Sequence, residues 1–171
     1  MQHGGSCIYV KTNLEAKSCN LFENLKQEEH FEANIIELTQ INTIIMCVYR
    51  TPNSNINIFI ETLDSIISNL KSRGKSIIIL GDLNIDFMGS YVNLRLLTML
   101  NSYGLQAIVD VPRRIGPTSN SGIDQIILNK CLRDYNCKVF ETGVSDHYAQ
   151  ILQLQIRYKN KRQLTSRKNS D

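Results

Sequence analysis

No run of about 18 apolar residues occurs in the chain, so it offers no candidate for a membrane-spanning helix. The opening Met1-Gln2-His3-Gly4-Gly5 has neither the basic start nor the apolar core of a signal peptide. The five cysteines (Cys7, Cys19, Cys47, Cys131, Cys137) are odd in number and form no Cys-x-x-Cys pair. Such a pattern does not build a disulfide framework, and reduced, intracellular thiols are expected. Internal repeats and low-complexity tracts are also missing. Excess charge is small: the net is +3, and Arg157, Lys159, Lys161, Arg162, Arg167 and Lys168 crowd the C-terminal end. The remaining body is slightly acidic, so a nucleic-acid role cannot rest on net charge. Residues 159–171 are expected to form a flexible basic tail that can touch phosphate.

What is present suffices for one domain. With 171 residues and 42% apolar content the chain can bury a sizeable core. Ser6 to Lys11 reads as a strand, and a polar stretch then runs to about His30. Extended segments are expected at Phe31–Leu38 and Thr43–Arg50. Asn55 can cap a helix running to about Ser72, whose Ile56, Phe59, Ile60, Leu63, Ile66, Ile67 and Leu70 form an apolar stripe. Lys75 to Leu80 is a continuous apolar run, as in a strand covered on both faces. A second helix is expected from Tyr91 to Tyr103, followed by strands at Leu105–Asp110, Ile123–Asn129, Cys137–Thr142 and His147–Tyr158. Helices and strands interleave early and strands alone follow, which fits a layered α/β sandwich better than a doubly wound parallel sheet.

Three polar motifs fall at strand ends: Gly81-Asp82-Leu83-Asn84, Ser121-Gly122-Ile123-Asp124 and Ser145-Asp146-His147. Hydrolysis of a phosphodiester needs oxygen ligands for a hard divalent cation, a group that orients or deprotonates water, and a donor to the phosphate oxygens. Asp, Asn and His supply those roles. Asp82 and Asn84 lie at i and i+2 and would point into one cleft from a strand end. Alone, Gly81-Asp82-Leu83-Asn84 is compatible with an ordinary turn, and Ser145-Asp146 with the start of a strand. Asp124 says more, because it interrupts the apolar run from Ile123 to Leu128, where a carboxylate is costly without a partner. A histidine hydrogen-bonded to it would have its tautomer fixed and its pKa raised, keeping it cationic beside phosphate.

Taken in order, Gly4-Gly5, Tyr49-Arg50-Thr51-Pro52, Gly81-Asp82-Leu83-Asn84, Pro117-Thr118 to Ile123-Asp124, and Ser145-Asp146-His147 resemble the endonuclease/exonuclease/phosphatase superfamily. Within it the likeness is to the endonuclease domain of LINE-type (non-LTR) retrotransposons, from about Gly4 to Tyr158. The resemblance implies a four-layered α/β sandwich that uses Mg2+ (or Mn2+) to nick DNA, leaving a 3′-hydroxyl for a reverse transcriptase domain of the parent polyprotein. It assigns Asp82 to the attacking water and to the metal, Asn84 to orienting that water, and His147 to the scissile phosphate with Asp124 as its partner. Asp146 would assist the metal and Tyr49 would donate its hydroxyl to the phosphate. Thr118 and Ser145 would support these groups from behind, and Arg113 and Arg114 could approach the DNA backbone.

The chain also departs from the pattern. The resemblance places an Asn-bearing strand and a metal-binding Glu upstream of Gly4-Gly5, where only Met1, Gln2 and His3 stand. Asn13 and Glu15 follow that segment and do not replace them. The expectation is a domain over residues 1–158 that lacks its first strands, with impaired catalysis and an uncovered sheet face. Gln125 stands where many relatives carry an aromatic or His. A non-catalytic remnant acting as a binding module and a phosphatase of the same superfamily are the competing readings. The sequence leaves the oligomeric state open. The expectation for location is intracellular, and nuclear if DNA is the substrate.

Overall fold

The computed structural model describes residues 5–20, 30–87, 94–110, 114–115, 120–145 and 147–155. In chain order the strands are β1 (Ala16–Ser18), β2 (Phe31–Leu38), β3 (Thr43–Arg50), β4 (Ser76–Asp82), β5 (Leu105–Ala107), β6 (Arg114–Ile115), β7 (Asn120–Ser121), β8 (Asp124–Asn129), β9 (Tyr135–Phe140) and β10 (Ala149–Leu154). Two α-helices, α1 (Ile56–Ser72) and α2 (Leu94–Ser102), are interspersed. The main sheet has the order β1-β2-β3-β4-β8-β5; β9 and β10 pair in a second sheet, and β6 pairs with β7.

Alternation along β2 and β3 divides the main sheet into two faces. Phe31, Ala33, Ile35, Ile44, Met46 and Val48 are buried on one face and pack with Phe59, Leu63, Ile66, Ile67 and Leu70 of α1 and with Leu96 and Leu100 of α2. Apart from Ala33, each such side chain contributes roughly 1.5–3 kcal/mol. The other face carries Ile78, Ile126 and Leu128, covered by Val139, Leu152 and Leu154 from β9 and β10. Ile77, Ile78 and Ile79 of β4 are all buried, as befits a strand covered on both sides. The described residues thus stack helices, a mixed sheet and a second sheet, an α/β sandwich.

Helix α1 begins where its cap dictates. The Asn55 side chain accepts from the backbone N–H groups of Asn57 and Ile58, at 2.9 and 3.4 Å. Asn55→Ala should lower stability by about 1 kcal/mol in urea unfolding; an unchanged midpoint would show that the cap is idle. Gly74 follows the helix at φ +64°, the left-handed conformation that ends it.

The first expected strand is not one. Ser6 to Lys11 joins no ladder; Asn34 on β2 donates its side-chain amide to the Ser6 carbonyl and hydroxyl oxygens, which ties the start of this segment to β2. The edge position goes to β1, in what the sequence presents as a polar loop. Strand β4 runs two residues further than its apolar run, through Gly81 to Asp82. The strand expected at Leu105–Asp110 stops at Ala107, and those expected from Cys137 and His147 occupy 135–140 and 149–154. Residues 91–93 of the expected second helix and the tail 159–171 lie outside the described residues.

Candidate metal-dependent active site

The site is built by register. Tyr49 on β3 pairs with Asp82 on β4, and Asp82 pairs with Asp124 on β8. On the other side of Tyr49 stands Glu32 of β2. Paired residues put their side chains on the same face, so Glu32, Tyr49, Asp82 and Asp124 form one row across four neighbouring strands. It lies on the face turned toward β9 and β10.

Gly81 permits this row. Its φ is +138°, and a Cβ there would lie 1.9 Å from the Val48 carbonyl oxygen. Only a residue without a side chain lets β4 approach β3 so closely just before Asp82.

Beyond Asp82 the strand stops, so the i, i+2 spacing does not orient Asn84 as an extended strand would. Asn84 is left-handed, at φ +47°. Its N–H donates to Asp82 Oδ1 at 2.9 Å, an Asx turn that holds the carboxylate, and its side-chain amide donates to the Arg50 carbonyl at 2.7 Å. The turn is also tied to the loop before Asp124: Leu83 N–H donates to the Ile123 carbonyl, Phe87 N–H to the Gly122 carbonyl, and Gly122 N–H to Asp86 Oδ1. Asp82 and Asp124 are therefore fixed by one hydrogen-bonded unit.

His147 completes the constellation. Its Nδ1 lies 2.7 Å from Asp124 Oδ2, with the two side chains 32% and 15% exposed. Ser145 Oγ accepts from the His147 N–H at 3.1 Å and so turns the chain into that position. One ligand atom each from Asp82, Asp124 and His147 lies within 4.8 Å of the other two. Two carboxylates suit Mg2+ or Mn2+, which would complete their coordination with water and substrate oxygens. The imidazole is a poorer partner for Mg2+ and is already engaged by Asp124.

A cleft of about 430 Å3 opens beside Asp124 between the sheets, lined by Ile45, Leu80, Gly81, Tyr148 and Gln150. Asp146, Thr118 and Arg113 lie outside the described residues, as does the side chain of Arg114. Glu15 accepts from the Thr39 hydroxyl at the opposite end of β2, far along the strand from the row. Gln125 is 1% exposed and donates to the Val109 carbonyl. Alternation along β8 places it behind Asp124, on the helix side.

Three residues at the site have no role assigned from the sequence. Glu32 enters through register, which no motif shows. Asp86 sits two residues beyond a motif that already looked complete. Arg50 is 4% exposed on the helix-covered face. A charged residue next to Tyr49 in an alternating strand was the available signal for it. Burial pulls the Arg50 guanidinium below the usual arginine range, and the nearby Asp82 charge opposes that shift. Burial also pushes the Cys47 thiol up.

The profile of a family described as endonuclease-reverse transcriptase matches residues 43–151. Among solved structures, the endonuclease domain of TRAS1, a telomere-specific non-LTR retrotransposon, is similar at a TM-score of 0.64 and 17% identity, over 86% of this chain and 71% of that one. A 3′ phosphatase from Neisseria, bound to a product DNA hairpin, gives 0.59 and 12% over 85% and 72%. A 3′-5′ exonuclease from Neisseria meningitidis gives 0.55 and 12% over 71% and 64%. At these identities the likeness is one of fold. No curated protein sequence matches the chain. No helix among the described residues is long and apolar enough to cross a membrane. The profile spans Tyr49, Asp82, Asp124 and His147, and the chain belongs to the endonuclease-reverse transcriptase family, with the fold of the endonuclease/exonuclease/phosphatase superfamily.

Proposed function

We propose that the chain is a divalent-metal-dependent endonuclease that hydrolyses phosphodiester bonds in DNA. One observation carries the reading: ligand atoms of Asp82 and Asp124, on the neighbouring strands β4 and β8, converge within 4.8 Å with one of His147, from the segment before β10. Family membership supports hydrolysis of phosphodiesters; DNA nicking and the metal's identity are the finer proposals. A bound Mg2+ or Mn2+ would polarise the phosphoryl oxygens and acidify water.

The protein's groups take the remaining roles. Asp82 is both the metal carboxylate and the group that orients or deprotonates the attacking water, with Asn84 beside it. Asp124 holds His147 by Nδ1, which leaves Nε2 to reach a phosphate oxygen. Tyr49, next to Asp82 in register, can donate its hydroxyl to the same phosphate. Asp146 is assigned to the metal, Thr118 and Ser145 to supporting contacts, and Arg113 and Arg114 to the DNA backbone. Residues 1–158 would form the catalytic unit and 159–171 a basic tail, in a polyprotein that also carries a reverse transcriptase and works on nuclear DNA.

Substrate choice tests the proposal. Supercoiled plasmid, which has no ends, is offered beside a DNA hairpin bearing a 3′-phosphate, with Mn2+. The expected result is relaxed circles whose nicks carry extendable 3′-hydroxyls. Action on the hairpin end alone would instead make the chain a phosphatase or exonuclease.

A further inference from the structure

Arg50 occupies a place that packing alone would give to an apolar residue. It is 4% exposed on the helix-covered face of β3 and lies 5.9 Å from the centre of the Phe59 ring. Among the described residues no carboxylate lies within ion-pair distance of it, and its Nε has no hydrogen-bond partner. A buried cation is expensive unless it is paired or hydrogen-bonded.

The guanidinium meets backbone carbonyls instead. Nη2 donates to the Ser54 carbonyl at 2.6 Å; Nη1 donates to the carbonyls of Asn84 at 3.0 Å and Leu83 at 3.4 Å. The Asn84 side chain returns a bond to the Arg50 carbonyl at 2.7 Å. One planar fork therefore joins the loop before α1 to the turn after Asp82, and a left-handed Asn84 is held from two sides.

We propose that Arg50 is a positioning residue that locks the Asp82–Asn84 turn in register with Asp124 and His147. The inference rests on the catalytic reading of that turn. Asp82 faces the row while Arg50, one position from Tyr49, works from behind the sheet. A lysine can hold one of those carbonyls but not both sides of the turn. A displacement of about 1 Å at a reacting centre can lower the rate about 10²-fold.

The test compares wild type with Arg50→Met and Arg50→Lys by two readouts. The first is amide hydrogen exchange. Exchange at Asn84 N–H should quicken at least about tenfold in both variants, while Ile78 and Ile127 in the sheet keep their protection. The second is steady-state hydrolysis of thymidine 5′-(p-nitrophenyl phosphate) with Mn2+. Here kcat should fall about 10²-fold for Met and less for Lys, with KM within about threefold. Should the Met variant fail to fold, the Lys variant carries both readouts. Unchanged Asn84 exchange in a folded variant, or equal acceleration at Ile78 and Ile127, would overturn the proposal. A wild-type protein without turnover would overturn the proposed function but not the role of Arg50, which the exchange pattern then decides alone.

Discussion

Asparagine in place of Asp82 is expected to lower metal-dependent diester hydrolysis at least about 10³-fold while leaving the fold intact. The side chain has two duties. Its Oδ1 accepts from the Asn84 N–H, which an asparagine oxygen can still do. Its charge serves the cation and the water, and an amide removes that. A bound cation is worth several kcal/mol to the transition state, and about 4 kcal/mol corresponds to 10³ in rate. His147→Ala should cost less, about 10²–10³-fold, because it removes one contact to the phosphate. Rates for both variants are compared at saturating Mn2+, with circular dichroism as the control on folding. Asp82→Asn at more than a tenth of wild-type rate would remove Asp82 from the mechanism.

The second large effect is structural. Gly81→Ala should destabilise the protein by roughly 3–5 kcal/mol, combining a positive φ for a residue with a Cβ with a steric clash. The 1.9 Å approach to the Val48 carbonyl involves backbone on both sides, so no side-chain rotation relieves it. Against a typical stability of about 5–15 kcal/mol, such a loss removes much of the margin. Urea unfolding reads it directly. A variant with the wild-type midpoint would mean that β3 and β4 can separate near Gly81 without loss.

Legibility in the sequence followed the strength of local signals. Strands β2 and β3 and helix α1 have the bounds their alternation, apolar stripe and Asn55 cap imply, because burial and capping act over a few residues. Ser6 to Lys11 has strand-like composition, yet its backbone oxygen is taken by Asn34, a contact between distant residues that no local pattern encodes. The motifs marked Asp82, Asp124 and His147, since polar residues beside apolar runs need a reason to be there. Arg50, Glu32 and Asp86 stayed hidden for different reasons. The fork of Arg50 grips carbonyls, which any sequence supplies; Glu32 depends on the register of the β2–β3 hairpin, and Asp86 on a bond to Gly122 between two loops far apart in sequence. The conformation of Asn84 was hidden too, because β4 ends at Asp82 and not beyond it.

Release of p-nitrophenolate from thymidine 5′-(p-nitrophenyl phosphate) across a Mn2+ titration, beside the monoester p-nitrophenyl phosphate, tests the central claim without requiring a preferred DNA site. Metal-saturable cleavage of the diester is expected, abolished by EDTA and by Asp82→Asn, with little action on the monoester. A folded, metal-saturated chain that turns over neither compound, or only the monoester, would contradict it.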